Sequence, residues 1–209
     1  MNIGFYGTTA ACASNTSFIN IIKQELETNI ISTGVLNGSE ERILFEIKRA
    51  KHVDVAVIFH STWKHVFVAN CAADKFVEED LSSLEFEMLN NRFYSTLMHI
   101  DAYLVAKQIF TIHVADPRYI PKWFRFQSGR NHGGILKIMQ EQYREDATNN
   151  ISDSGNKQIA HKLVQAIREH NFLEDVEDRK NKSVKVKCSN PSNNNPSILL
   201  TNGETSCQN

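Results

Sequence analysis

The sequence predicts an α/β domain built on a parallel sheet. Three observations carry that prediction. Short, β-branched apolar runs alternate along the chain with longer segments in which apolar residues recur every three or four positions. One run, Val53-Asp-Val-Ala-Val-Ile-Phe59, is almost continuously apolar, the signature of a parallel strand covered on both faces. The length of 209 residues suits one such domain with a full core, and not two.

The elements follow in order. Ile3 to Tyr6 is a buried first strand ending at Gly7. Ser14 to Glu27 places Phe18, Ile19, Ile22 and Leu26 on one face and reads as a helix. Asn29 to Thr33 is a second strand, closed by Gly34. Ser39-Glu40-Glu41 opens a helix with Ile43, Leu44 and Ile47 on its apolar face. Val53 to Phe59 is the third strand. His60 to Asp80 reads as a long loop, and Leu84 to Lys107 as a long helix with Phe86, Leu89, Phe93, Leu97, Ile100 and Leu104 in register. Ile109 to Val114 is a fourth strand, closed by Asp116-Pro117. Arg118 to Asn131 is irregular, Ile135 to Tyr143 is a short helix, and Asn156 to His170 is a terminal helix packing through Ile159, Leu163, Val164 and Ile167.

Strands alternating with helices give right-handed crossovers and a flavodoxin-like three-layer sandwich, a parallel sheet flanked by helices, over residues 1–172. From 173 to 209 the chain turns acidic, then basic, then rich in Asn and Ser. That composition buries too little apolar surface to offset ordering entropy, so a disordered polar tail is expected.

The formal charge of -1 supplies no global field toward nucleic acid or an anionic membrane. No apolar run approaches the ~20 residues of a membrane helix, and the N-terminus enters a core strand without a signal-peptide pattern. The four cysteines are scattered, which argues against a disulfide framework or a zinc site and for a reducing compartment, the cytoplasm. No His, Asp and Glu have metal-ligand spacing on one face, so neither a metal nor a cofactor is expected.

Open α/β sheets bind ligands beyond the carboxyl ends of their strands. Four segments converge there: Gly7-Thr8-Thr9, Gly34 to Gly38, His60 to Trp63, and Asp146-Ala-Thr-Asn-Asn150-Ile-Ser-Asp-Ser-Gly155-Asn156 before the last helix. Their order and residues resemble the SGNH/GDSL hydrolase family. The resemblance implies an ester hydrolase scaffold, with Thr9 (or its neighbour Thr8) where the family's serine nucleophile stands, Gly38 supporting the oxyanion, and Asp146 before the base. The family's histidine position holds Asn150, and its Gly-x-Asn-Asp block reads His60-Ser-Thr-Trp63. An amide has no basic nitrogen and takes no proton. Each oxyanion donor lost removes about 2.7–4 kcal/mol of transition-state stabilisation. The site so aligned is a degenerate esterase that binds an acylated or carbohydrate-type ligand and turns it over weakly or not at all.

His60, His65 and His132 are candidates to replace the missing base. The plainer expectation for each is a loop histidine satisfied by backbone hydrogen bonds, and His113, inside a strand, reads as structural. The aromatic and basic stretch Tyr119 to Arg130 is expected to pack on the sheet edge. The alternative function is a non-enzymatic interaction module of a larger assembly, presenting His60–Asp80 and Arg118–Asn131 to a protein partner. A phosphate-binding reading of Gly7-Thr8-Thr9 lacks the glycine-rich loop it needs.

Overall fold

The computed structural model describes residues 1–7, 17–34, 38–50, 52–62, 64–66, 75–76, 82–145 and 151–169. The chain divides into two compact units, Met1–Phe172 and Leu173–Asn209. The second unit, and with it the expectation of a disordered tail, lies outside the described residues.

The first unit runs β1 (Asn2–Gly7), α1 (Ser17–Leu26), β2 (Asn29–Gly34), α2 (Glu40–Arg49), β3 (Val55–Phe59), β4 (His65–Val66), β5 (Lys75–Phe76), α3 (Ser83–Ala106), β6 (Phe110–Val114), β7 (Gly129–Asn131), α4 (Gly134–Glu145) and α5 (Asp153–Glu169). The five-stranded sheet has the order β2-β1-β3-β6-β7 and is parallel throughout. This is the flavodoxin-like order, whose direction of winding reverses between the first and third strands. The switch point therefore lies between β1 and β3.

Alternation along the strands divides the core into two layers. On one face Phe18 of α1 packs edge-on to Phe5, with ring centroids 6.3 Å apart, and against Phe59 at 6.0 Å. Helices α1, α5 and α4 pack in succession on that side. On the other face Tyr6, Ala56 and Ile58 meet Ile43 and Ile47 of α2 and Ile100 and Leu104 of α3. Every residue of β3 is buried, as its unbroken apolar run requires.

Three expectations change. The irregular region contains β7, a fifth strand parallel to β6. Gly-Arg-Asn has no apolar periodicity, and the strand is held instead by close backbone approach: a Cβ on Gly129 would collide with the Thr111 carbonyl. The long helix α3 has a capping box at Ser82 and Glu85. Its apolar stripe is buried only from Phe93 onward, while Leu84, Phe86 and Met88 are exposed. The expected long loop His60–Asp80 holds the short antiparallel ladder β4–β5, and most of the rest lies outside the described residues.

Candidate functional site

The mouth of the sheet is built first by backbone. Gly7 ends β1 in register with Phe59 of β3 and Gly34 of β2. Its φ of 137° suits only glycine, and a Cβ there would strike the Phe59 carbonyl. Gly38 is buried just before Ser39, the N-cap of α2, whose side chain accepts from Arg42 N at 3.3 Å.

Thr8, Thr9, Asp146 and Asn150 lie outside the described residues. The segments that flank them are described. Asn156, in the first turn of α5, is 4 % exposed, and its Oδ1 accepts from Phe18 N at the start of α1, 3.3 Å away. Its Nδ2 donates to Ile151 O at 2.9 Å and to Ser152 O at 3.1 Å. The chain re-enters described structure after 8–16 and after 146–150 at the same place.

Beneath the mouth, on the α2/α3 side of the sheet, lies a buried chain of side chains. His60 continues β3, and its Nδ1 faces the Glu40 carboxylate at 3.1 and 3.2 Å. Its Nε2 meets His113 Nδ1 of β6 at 2.8 Å. His113 Nε2 lies 2.9 Å from Ser128 Oγ, which donates to Asp101 Oδ1 of α3 at 2.6 Å. Asp101 also accepts from Gln127 N and Ser128 N, each at 2.9 Å. His60 therefore finds its ring partners in side chains, and the expectation of backbone satisfaction fails for it. With both nitrogens occupied and 1 % of the side chain exposed, it has no lone pair for a ligand. His113 is the middle of the chain rather than an isolated strand residue.

The chain has four hydrogen-bonded gaps, and each needs one proton whichever tautomers are chosen. Two neutral imidazoles and one hydroxyl supply three. The fully bonded state thus holds one extra proton. Burial first, then His60 and His132 nearby, hold His113 well below the usual imidazole range, so it stays neutral. Asp101 accepts three donors.

Two further histidines border this chain. His132 N donates to His113 O at 2.6 Å. Ser61, directly after His60, donates its backbone N–H to Glu40 Oε1 at 2.7 Å, and its hydroxyl lies 2.7 Å from His65 Nδ1. Among the described residues no His, Cys, Asp and Glu gather as a metal site, and no helix is long and apolar enough to cross a membrane.

The aromatic stretch packs at the sheet edge. Phe126 stacks on His113 with centroids 3.7 Å apart and planes at 16°, and Phe124 stands edge-on to Phe126 at 5.0 Å. Between this loop and β7 opens a cleft of about 730 Å³ that carries Lys122, Arg125 and Arg130. Arg118 is engaged elsewhere: its guanidinium grips Asp116 and holds that carboxyl below the usual range.

No protein-family model and no curated protein matches this chain.

Sequence reasoning missed three residues of the polar chain. Asp101 carried a signal, since it continues the stripe Phe93, Leu97, Leu104 on which an acid must be buried. Glu40 was visible only as a helix-start acid. Ser128 had none, because its role depends on a strand the sequence does not announce.

Proposed function

We propose that the chain is a hydrolase-fold protein of the SGNH type. Its site at the β1/β3 switch point would bind an acylated or carbohydrate-type ligand and cleave its ester weakly or not at all, in the reducing cytoplasm. The observation that supports this reading is convergence. Gly7, the last described residue before Thr8 and Thr9, lies beside the end of β3, where His60 follows Phe59. The Asn156–Phe18 bond ties the far ends of the two segments that carry Thr9 and Asp146 to one point. Residues brought together from loops so far apart in sequence need such a tie to meet. His60 is saturated and Asn150 has no basic nitrogen, so neither supplies the base that a hydroxyl at Thr9 requires.

The test is to restore the family residues. The exchange Thr9→Ser with Asn150→His should raise p-nitrophenyl acetate turnover at least tenfold over the natural chain, and Asp146→Ala in that background should remove the gain. A well-folded double variant with no gain rejects the reading.

A second reading, an interaction module within an assembly, has its own observation. Trp123 is 69 % exposed beside the cleft that bears Lys122, Arg125 and Arg130. Aromatic and arginine residues are those that anchor protein interfaces, and the charge fits an acidic protein segment. A complex on size exclusion that Trp123→Ala together with Arg130→Glu dissolves supports it; a complex indifferent to both rejects it.

A further inference from the structure

We propose that Ser61 and His65 are the nucleophile and base of this chain, acting on carboxylic esters. The substrate class rests on the hydrolase-type reading above; the pair itself rests on geometry. Ser61 Oγ and His65 Nδ1 are 2.7 Å apart, the distance over which an imidazole accepts a hydroxyl proton during attack. His65 N donates to Thr62 O at 3.1 Å, closing the turn that folds the histidine back over the serine four residues earlier. The serine is fixed from behind, because its N–H is bound to Glu40 Oε1 in the first turn of α2. It follows β3 at the switch point, where doubly wound sheets bind their ligands. Ser61 is 6 % exposed and His65 only partly so, which shields their bond from competing water.

The other serine–histidine contact is built for the opposite task. Ser128 gives its proton to Asp101 and accepts from His113, whose ring is wholly buried. A hydroxyl committed to a carboxylate is not a nucleophile held against a base. His60 has no nitrogen to offer. Among the described residues, His65 is a histidine at the mouth whose Nδ1 meets the Ser61 hydroxyl.

The reaction balances without a cofactor. Ser61 Oγ adds to the ester carbonyl and its proton passes to His65 Nδ1. The alkoxide leaves with that proton as the alcohol, and Ser61 carries the acyl group. Water then attacks the acyl carbon as His65 takes its proton, and Ser61 leaves with the proton as the carboxylic acid is released.

The experiment treats the full-length chain with an alkyl fluorophosphonate and maps the adduct by peptide mass spectrometry. The expected result is one adduct, on the peptide carrying Ser61, with fluoride released. The labelling rate and p-nitrophenyl acetate turnover should fall at least tenfold in His65→Gln, which keeps a hydrogen-bonding side chain but no base. Ser61→Ala should abolish both. Ser61→Cys should transfer modification to iodoacetamide, a check that survives if the alanine variant folds poorly. An adduct at another residue, no adduct, or turnover that Ser61→Ala leaves intact overturns the pair. None of these decides the wider reading, which stands or falls on the Thr9→Ser, Asn150→His exchange.

Discussion

Two histidines on one strand end have opposite circumstances. His60 and His65 both follow β3, five positions apart. His60 is sealed, with Glu40 on one nitrogen and His113 on the other. His65 is partly exposed and holds a serine hydroxyl through Nδ1. A histidine whose ring faces a hydroxyl can exchange a proton with it, whereas one locked between a carboxylate and a second imidazole is committed to the fold. Position at the mouth of an α/β sheet therefore does not distinguish a working histidine from a structural one; the partners on its two nitrogens do.

The sharpest way to break the comparison is to attack the buried chain at its anchor. Asp101→Ala strands Ser128 Oγ and the amides of Gln127 and Ser128 inside the protein. It should cost about 3 kcal/mol or more, since each buried donor left unsatisfied costs about 1–3 kcal/mol, read from urea unfolding midpoints. At the mouth, Gly7→Ala forces a side chain into a φ of 137° and against the Phe59 carbonyl. A loss of about 2–3 kcal/mol is expected; an unchanged midpoint would mean that position 7 does not need its positive φ.

The two regions should then separate by readout. His65→Gln should lower ester turnover at least tenfold, as loss of a general base does, with a melting temperature near that of the natural chain. His113→Gln should do the reverse, lowering the melting temperature while turnover stays within about twofold. Matching losses in both variants would erase the distinction.

The buried chain also sets a pH signature. The folded state holds His113 below its unfolded value, so on acidification through about 6.5 the unfolded chain takes a proton there that the folded chain refuses. Stability should fall as pH drops below that point, by up to about 1.4 kcal/mol per pH unit for this one group. His113→Gln should flatten that part of the profile. At the small end, Trp123→Ala removes an exposed ring and should change stability by less than about 0.5 kcal/mol.

How much of this was legible follows from what carries each feature. The framework of β1, β2, β3 and β6 is written in local periodicity, so Val53–Phe59 and the α5 stripe are read directly. β7 is fixed by backbone fit to β6 and by the Asp101 latch, neither of which has a sequence period. His60 was visible as a strand-end residue, but its partners lie 20 and 53 positions away, and which of them reach it depends on strand order. The Ser61–His65 pair is close in sequence, yet an x-x-x spacing in a loop says nothing until a turn closes it. Thr9, Asp146 and Asn150 rest on resemblance alone.

The latch formed by Asp101 has a consequence for how this fold can diversify. It clamps the last two residues before β7, and His60 N on Val114 O ties the end of β6 to the neighbouring strand. The stretch between, which carries Lys122, Trp123 and Arg125, is secured at both ends by bonds that do not involve its own side chains. It is a cassette. Sequence between Pro117 and Arg125 can be exchanged for another of the same span while the frame around it stays put, so new recognition chemistry can be tried there without reopening the core.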